Sequence, residues 1–219
     1  MNKSVLFLPV ILLLQGCFFG TFQTAESLKP GEVNAGWYGN MPLYFDSSVK
    51  EKSKASNLGA FLYPNIGGYL MYGASASLDF GMRGSIGEGL GPFAKVKVLD
   101  EKNSFISAAF IAGMAYHPVA EGISLRGDVV FSKNLSLYSS IYWGWTILRA
   151  PDYRMLVYKD VDLGDIKTFK EFSAFFIGVD LKRKRGSAYF KKIPFGLTME
   201  FTIPFTKYPA VFWGFQFTR

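Results

Sequence analysis

One histidine, one cysteine and few charges set the first limits on what this chain can do. His117 is the only histidine in 219 residues, so a catalytic triad or a multi-histidine metal site has a single centre available. Cys17 is the only cysteine, which excludes an internal disulfide. Charged residues make up 19% of the chain, below the roughly 25% usual in soluble domains. No apolar run near twenty residues follows Cys17, so that part of the chain offers no transmembrane helix. The formal charge of +7 is scattered, apart from Lys182, Arg183, Lys184 and Arg185. It forms no basic stripe, and no nucleic-acid partner is expected.

What is abundant is aromatic and glycine: 22 Phe, 12 Tyr, 4 Trp and 23 Gly. So much aromatic surface with so few charges calls for a non-aqueous surrounding. The diagnostic pattern for entry as strands is a series of segments, each about ten residues long, that alternate large apolar with small or polar side chains. In Ile193 to Phe205, Ile193, Phe195, Leu197, Met199, Phe201, Ile203 and Phe205 alternate with Pro194, Gly196, Thr198, Glu200, Thr202 and Pro204. In Leu135 to Ile147, Leu135, Leu137, Ile141, Trp143, Trp145 and Ile147 share one face. Ile123 to Ser132 and Leu78 to Ile86 keep their charges to one face in the same way, with period two and no helical period. Val33 to Phe45, Ile66 to Ala74, Leu90 to Leu99, Phe105 to Tyr116, Phe172 to Lys182 and Pro209 to Thr218 complete the series. The fold expected is all-β, a transmembrane antiparallel up-and-down β-barrel of about ten strands, with eight or twelve left open by boundary error. Prolines 42, 64, 92, 194 and 204 belong at strand ends or bulges.

Connections are expected to be short on the periplasmic side and longer outside. The short set is Ala74 to Ser77, Asp100 to Asn103, Ser132 to Asn134 and Arg183 to Ser187. The other side receives Asp46 to Ser56, Gly87 to Gly89, His117 to Gly122, Leu148 to Lys170 and Thr206 to Tyr208. On these strand faces the lumen would hold Asp79, Arg83, Lys95, Lys97, Arg126, Asp128, Asp180, Lys182 and Glu200, nearly balanced in sign. In a barrel this narrow such charges are expected to pair and fill the interior, leaving at most a narrow pore. His117 is expected at a loop rim with Pro118 and Val119 after it, which gives no catalytic constellation. The region 148–170 is where an extracellular ligand would bind, and its acids lack the order of a calcium loop, so no metal is expected.

The N-terminus carries Lys3, an apolar run Val5 to Leu14, and Gln15-Gly16-Cys17, the layout of a signal peptide. Leu14-Gln15-Gly16-Cys17 resembles the lipobox of bacterial lipoproteins. That resemblance implies a leader over 1–16, a lipid carried covalently on Cys17 as the one attached group, and a lipoprotein-export partner. With Phe18 rather than an aspartate next, it also implies the outer membrane as destination. Residues 17–31 would then be a tether and 32–219 the barrel, anchored in the periplasmic leaflet beside the first strand with its loops outside. The alternate aromatics Trp213, Phe215 and Phe217 resemble the C-terminal strand by which outer-membrane barrels are recognised, which implies the barrel-assembly machinery as a partner. The region from Thr24 to Glu32, with Tyr72-Gly73 and Leu78 to Arg83, is similar to small outer-membrane β-barrel proteins. The function expected is a non-enzymatic structural or surface-interaction role. The competing reading is a soluble, lipid-anchored, lipocalin-like barrel with its aromatic faces inward around a hydrophobic ligand.

Overall fold

The computed structural model describes residues 20–44, 65–85, 87–118, 120–151, 169–181, 196–205 and 210–218. Alternation of large apolar with small or polar residues gives ten strands: β1 (Val33–Tyr44), β2 (Asn65–Gly73), β3 (Leu78–Ser85), β4 (Gly89–Leu99), β5 (Ser107–His117), β6 (Gly122–Asn134), β7 (Ser139–Pro151), β8 (Phe169–Leu181), β9 (Gly196–Pro204) and β10 (Ala210–Thr218). Each pairs antiparallel with its sequence neighbours, and β1 closes on β10 through pairs such as Trp37↔Phe217 and Gly39↔Phe215. Closure removes every sheet edge, so no row of backbone donors is left for a foreign strand. Strand lengths of 8 to 13 residues match the 9–11 residues or so that a tilted strand needs to cross a hydrocarbon layer.

The pleat sorts side chains by parity. Phe80, Met82, Val96, Phe110, Met114, Leu125, Ile147, Ile177, Met199, Phe201 and Ile203 point outward and stay exposed, while Asp79, Lys95, Asp128 and Glu200 point inward and are buried. Trp37 packs against Phe217 and Phe215 near one rim, and Trp145 stacks on Phe205 at 4.6 Å toward the other. Inward glycines make room for inward rings: a Cβ on Gly67 or Gly178 would run into Tyr38 or Tyr142, and one on Gly81 or Gly144 into Phe93 or Phe176. The core of the molecule is therefore its lumen, lined by rings and charges together.

Two boundaries differ from expectation. The turn between β6 and β7 lies at 135–138 and not at Ser132 to Asn134, because the amides of Leu135 and Ser136 bond back to the Ser139 carbonyl. Leu135 and Leu137 continue the apolar parity without being strand; at the rim they stand 64% and 83% exposed. The Arg183 to Ser187 turn expected between β8 and β9 lies outside the described residues. Strand β7 runs on to Pro151 and β8 starts at Phe169, so only 152–168 of the 148–170 region connects them, and the ligand-binding reading of it falls outside the described residues.

Pro204 and Pro151 end strands, as their missing N–H favours, whereas Pro92 lies inside β4. It is tolerated because the β4–β5 ladder is interrupted there, passing from Leu90↔Tyr116 to Phe93↔Gly113. Beside it the two backbones approach so closely that a Cβ on Gly91 would overlap the Met114 carbonyl. Gly91→Ala should therefore destabilise the barrel by about 1–3 kcal/mol through forced backbone displacement, seen as a lower temperature at which the folded band is lost on unboiled electrophoresis.

Candidate functional site: the occupied lumen

The chain enters its own barrel. Residues 20–31 precede β1 and run back up the lumen, from Gly31, whose amide bonds to Gly73, to Gly20, whose carbonyl accepts a 2.6 Å bond from Arg83. Thr21, Phe22 and Ala25 are buried. Of the expected tether 17–31, residues 20–28 pack within the lumen, while Lys29, Pro30 and Gly31 are exposed.

The strongest hold on this segment is Glu200. Its carboxylate accepts the consecutive amides of Thr21 at 2.8 Å and Phe22 at 2.6 Å, the Tyr142 hydroxyl at 2.8 Å and the Thr202 hydroxyl at 2.9 Å. Two successive N–H groups meet on one anion because Phe22 adopts a left-handed backbone, φ 49°, the arrangement that turns neighbouring amides into an anion-binding nest. For a residue with a bulky side chain this conformation costs of order 1–3 kcal/mol, which the charge-assisted bonds offset. The Phe22 ring stacks on Tyr38 at 5.5 Å and lies over Gly214, where a Cβ would collide with it.

Above and below this latch lie two ionic layers. Toward the loop end, the rim carrying the β3–β4, β5–β6 and β7–β8 connections, Arg126 donates to Asp128 at 2.8 Å, Glu88 at 2.7 Å and the Thr21 hydroxyl at 2.9 Å. Arg83 reaches Glu88 at 3.3 Å and Tyr38 at 3.1 Å. Toward the turn end, Lys95 pairs with Asp79 at 3.1 Å and donates to the Glu26 carbonyl at 2.7 Å, while Asp79 accepts the Leu28 amide. Lys97 joins Asp100 at 2.6 Å and lies 3.7 Å from Glu26. Beside Lys97, and with the Lys102 amide also donating to it, the Asp100 carboxyl on the turn is held below the usual carboxylate range. Asp180 accepts from Thr198 at 2.9 Å. Lys182 falls outside the described residues.

Asp79, Arg83, Lys95, Lys97, Arg126, Asp128, Asp180 and Glu200 thus all belong to the inward set. Glu88, assigned from sequence to a loop, is a further member: it folds back from the short β3–β4 connection to bridge both arginines. His117 ends β5 at the loop-end rim, where it is buried, and its Nδ1 accepts the Ala120 amide at 3.0 Å, capping the turn after β5. Among the described residues no group of three His, Cys, Asp or Glu side chains could hold a metal. Below the ionic layers a cavity of about 590 Å³ opens between the segment and the wall, lined by Glu26, Asn34, Tyr69, Asp180, Thr198 and Gln216.

The chain matches no protein-family model, and no curated protein matches it. Among solved structures it is similar to Ail, the attachment invasion locus protein of Yersinia pestis, at 11% identity over 87% of this chain and 99% of that one, with a TM-score of 0.25. No residue role is carried over from it.

Proposed function

We propose that this chain is a non-enzymatic bacterial outer-membrane β-barrel, closed by its own N-terminal segment, with a structural or surface-interaction role. The observation that carries this reading is the inversion of its surface: Phe80, Met114, Ile147 and Phe201 stand 49%, 56%, 57% and 48% exposed, while Asp79 and Lys95 are buried at 0% and 2%. A lipocalin-like barrel would turn its apolar faces inward around a ligand. Here the lumen holds ion pairs and peptide, and the rings face outward, where lipid would solvate them. A closed lumen favours surface interaction over passage of solutes. The outward Trp213 on β10 fits recognition by barrel-assembly machinery.

Lipidation of Cys17 remains part of this reading, with a changed consequence. The path from Glu32 to Gly20 leads away from the start of β1 and toward the loop end. Three residues reach at most about 10 Å, so a lipid on Cys17 would share the side of the membrane that carries the loops. This reading replaces the anchor in the periplasmic leaflet beside the first strand.

Insertion of the refolded chain from Cys17 onward into liposomes tests both points. Retention through carbonate washing, with faster migration when unboiled, is expected; quantitative release without that shift would return the chain to the soluble reading. In the same vesicles the Cys17 thiol should react with a membrane-impermeant maleimide to the same extent as Glu121→Cys at the loop end, made in a Cys17→Ser background. Matching Ala76→Cys at the turn end instead would put the anchor on the other face.

A further inference from the structure

The lumen grips residues 20–28 chiefly by their backbone. Glu200 takes the Thr21 and Phe22 amides, the Ser132 hydroxyl takes the Ala25 amide at 3.2 Å, and Asp79 takes the Leu28 amide at 3.1 Å. In the other direction Lys95 donates to the Glu26 carbonyl and Arg83 to the Gly20 carbonyl. These partners come from β3, β4, β6 and β9, so donors and acceptors are set out around the bore along the bent path of the segment. Backbone groups are common to all peptides; the wall therefore reads conformation first.

Side chains are read at only a few places. The Phe22 ring occupies the space between Tyr38 and Gly214, Ala25 is wholly buried, and the Glu26 carboxylate receives the Ser107 hydroxyl with Lys97 nearby. At the turn end, Lys29, Pro30 and Gly31 are exposed, so the segment is connected to β1 by a short surface link. The strained Phe22 backbone and the Glu200 nest make the contact specific in a way that filling of a bore does not require.

We propose that the lumen is a binding site for a peptide that follows this bent path and that residues 20–31 are its tethered ligand. A second peptide takes the same place when it carries an aromatic residue, a small residue three positions later and an acid immediately after, in the relation of Phe22, Ala25 and Glu26. In the intact chain the tether keeps its own segment at an effective concentration in the millimolar range for a short link, which excludes competitors. Cutting the link, or pulling the segment out, opens the site. The inference goes beyond the membrane reading and does not depend on it, since the contacts are internal to the barrel.

The test uses the whole refolded chain in detergent, with a protease recognition site inserted after Pro30. The probe is a fluorescent synthetic peptide with the sequence of residues 20–30. After cleavage, probe anisotropy should rise saturably, with a Phe22→Ala peptide and a Glu200→Gln barrel each weaker by roughly tenfold or more; the uncut chain should take up none. A cut barrel that keeps its heat-dependent mobility but takes up no probe, or takes up a scrambled peptide equally well, would overturn the proposal. So would loss of the folded band on cleavage, because the segment would then be a part of the wall and not a ligand. Liposome retention of the uncut chain is unaffected by any of these results, which keeps the membrane reading separately testable.

Discussion

Glu200→Ala should lower the stability of the folded barrel by about 3–5 kcal/mol, because a buried donor left without an acceptor costs about 1–3 kcal/mol and this change orphans several. The Thr21 and Phe22 amides are fixed in direction and buried, so neither can turn to another partner. The hydroxyls of Tyr142 and Thr202 also lose their acceptor, but can rotate. Without the anion, the left-handed backbone of Phe22 has nothing to offset its strain. Urea titration of the refolded protein gives the stability change, and hydrogen exchange at residues 21 and 22 gives its location: protection there should fall in step. Lys133→Ala serves as the control, since its pair with Glu101 is partly exposed and such pairs contribute roughly 0–1 kcal/mol. Unchanged melting and unchanged protection in the Glu200 variant would mean that the segment is not held by this carboxylate.

The outward and inward faces were legible because the strand period is two and every misplacement would reverse a whole face. That is why Phe80, Met82, Ile123 and Leu125 fall in the exposed set and Asp79, Ser124, Asp128 and Ser132 in the buried one. Boundaries were less legible where parity and exposure coincide. Leu135 and Leu137 keep the apolar alternation although they belong to a turn at the rim, and there an outward apolar residue of a turn reads like one of a strand. Pro92 misled for a different reason: a break in the β4–β5 ladder spares it the hydrogen bond it cannot make.

The lumen charges could be named from sequence but not paired. Which acid meets which base depends on register and shear, and Arg126 finds Glu88 across 38 residues of chain, from a connection assigned to solvent. Residues 20–31 left still less trace. They show no strand alternation, and most of what binds them is bonded to their amides and carbonyls, which all residues possess. The glycines of the inward faces are the trace that the segment does leave: they make room in the bore, and Gly214 gives that room to the ring of Phe22.

Arg126→Met should be the most damaging change in the loop-end ionic layer, at about 3–5 kcal/mol, the usual cost of breaking a buried pair from one side. The argument turns on which partner is left behind. Glu88 keeps Arg83 at 3.3 Å, and the Thr21 hydroxyl can reorient, but the Asp128 carboxylate is buried, and Arg126 is its ion-pair partner at 2.8 Å. Most of the loss should therefore be the stranded charge of Asp128 and not the missing attraction. Adding Asp128→Asn to Arg126→Met removes that charge while keeping its shape, and replacing both members of a buried pair is often close to neutral. The double variant should regain at least half of the loss in urea titration, a coupling of the size seen between residues in direct contact. If Asp128→Asn added its own cost to that of Arg126→Met, the two groups would be acting independently. The stranded charge of Asp128 would then not be the source of the loss.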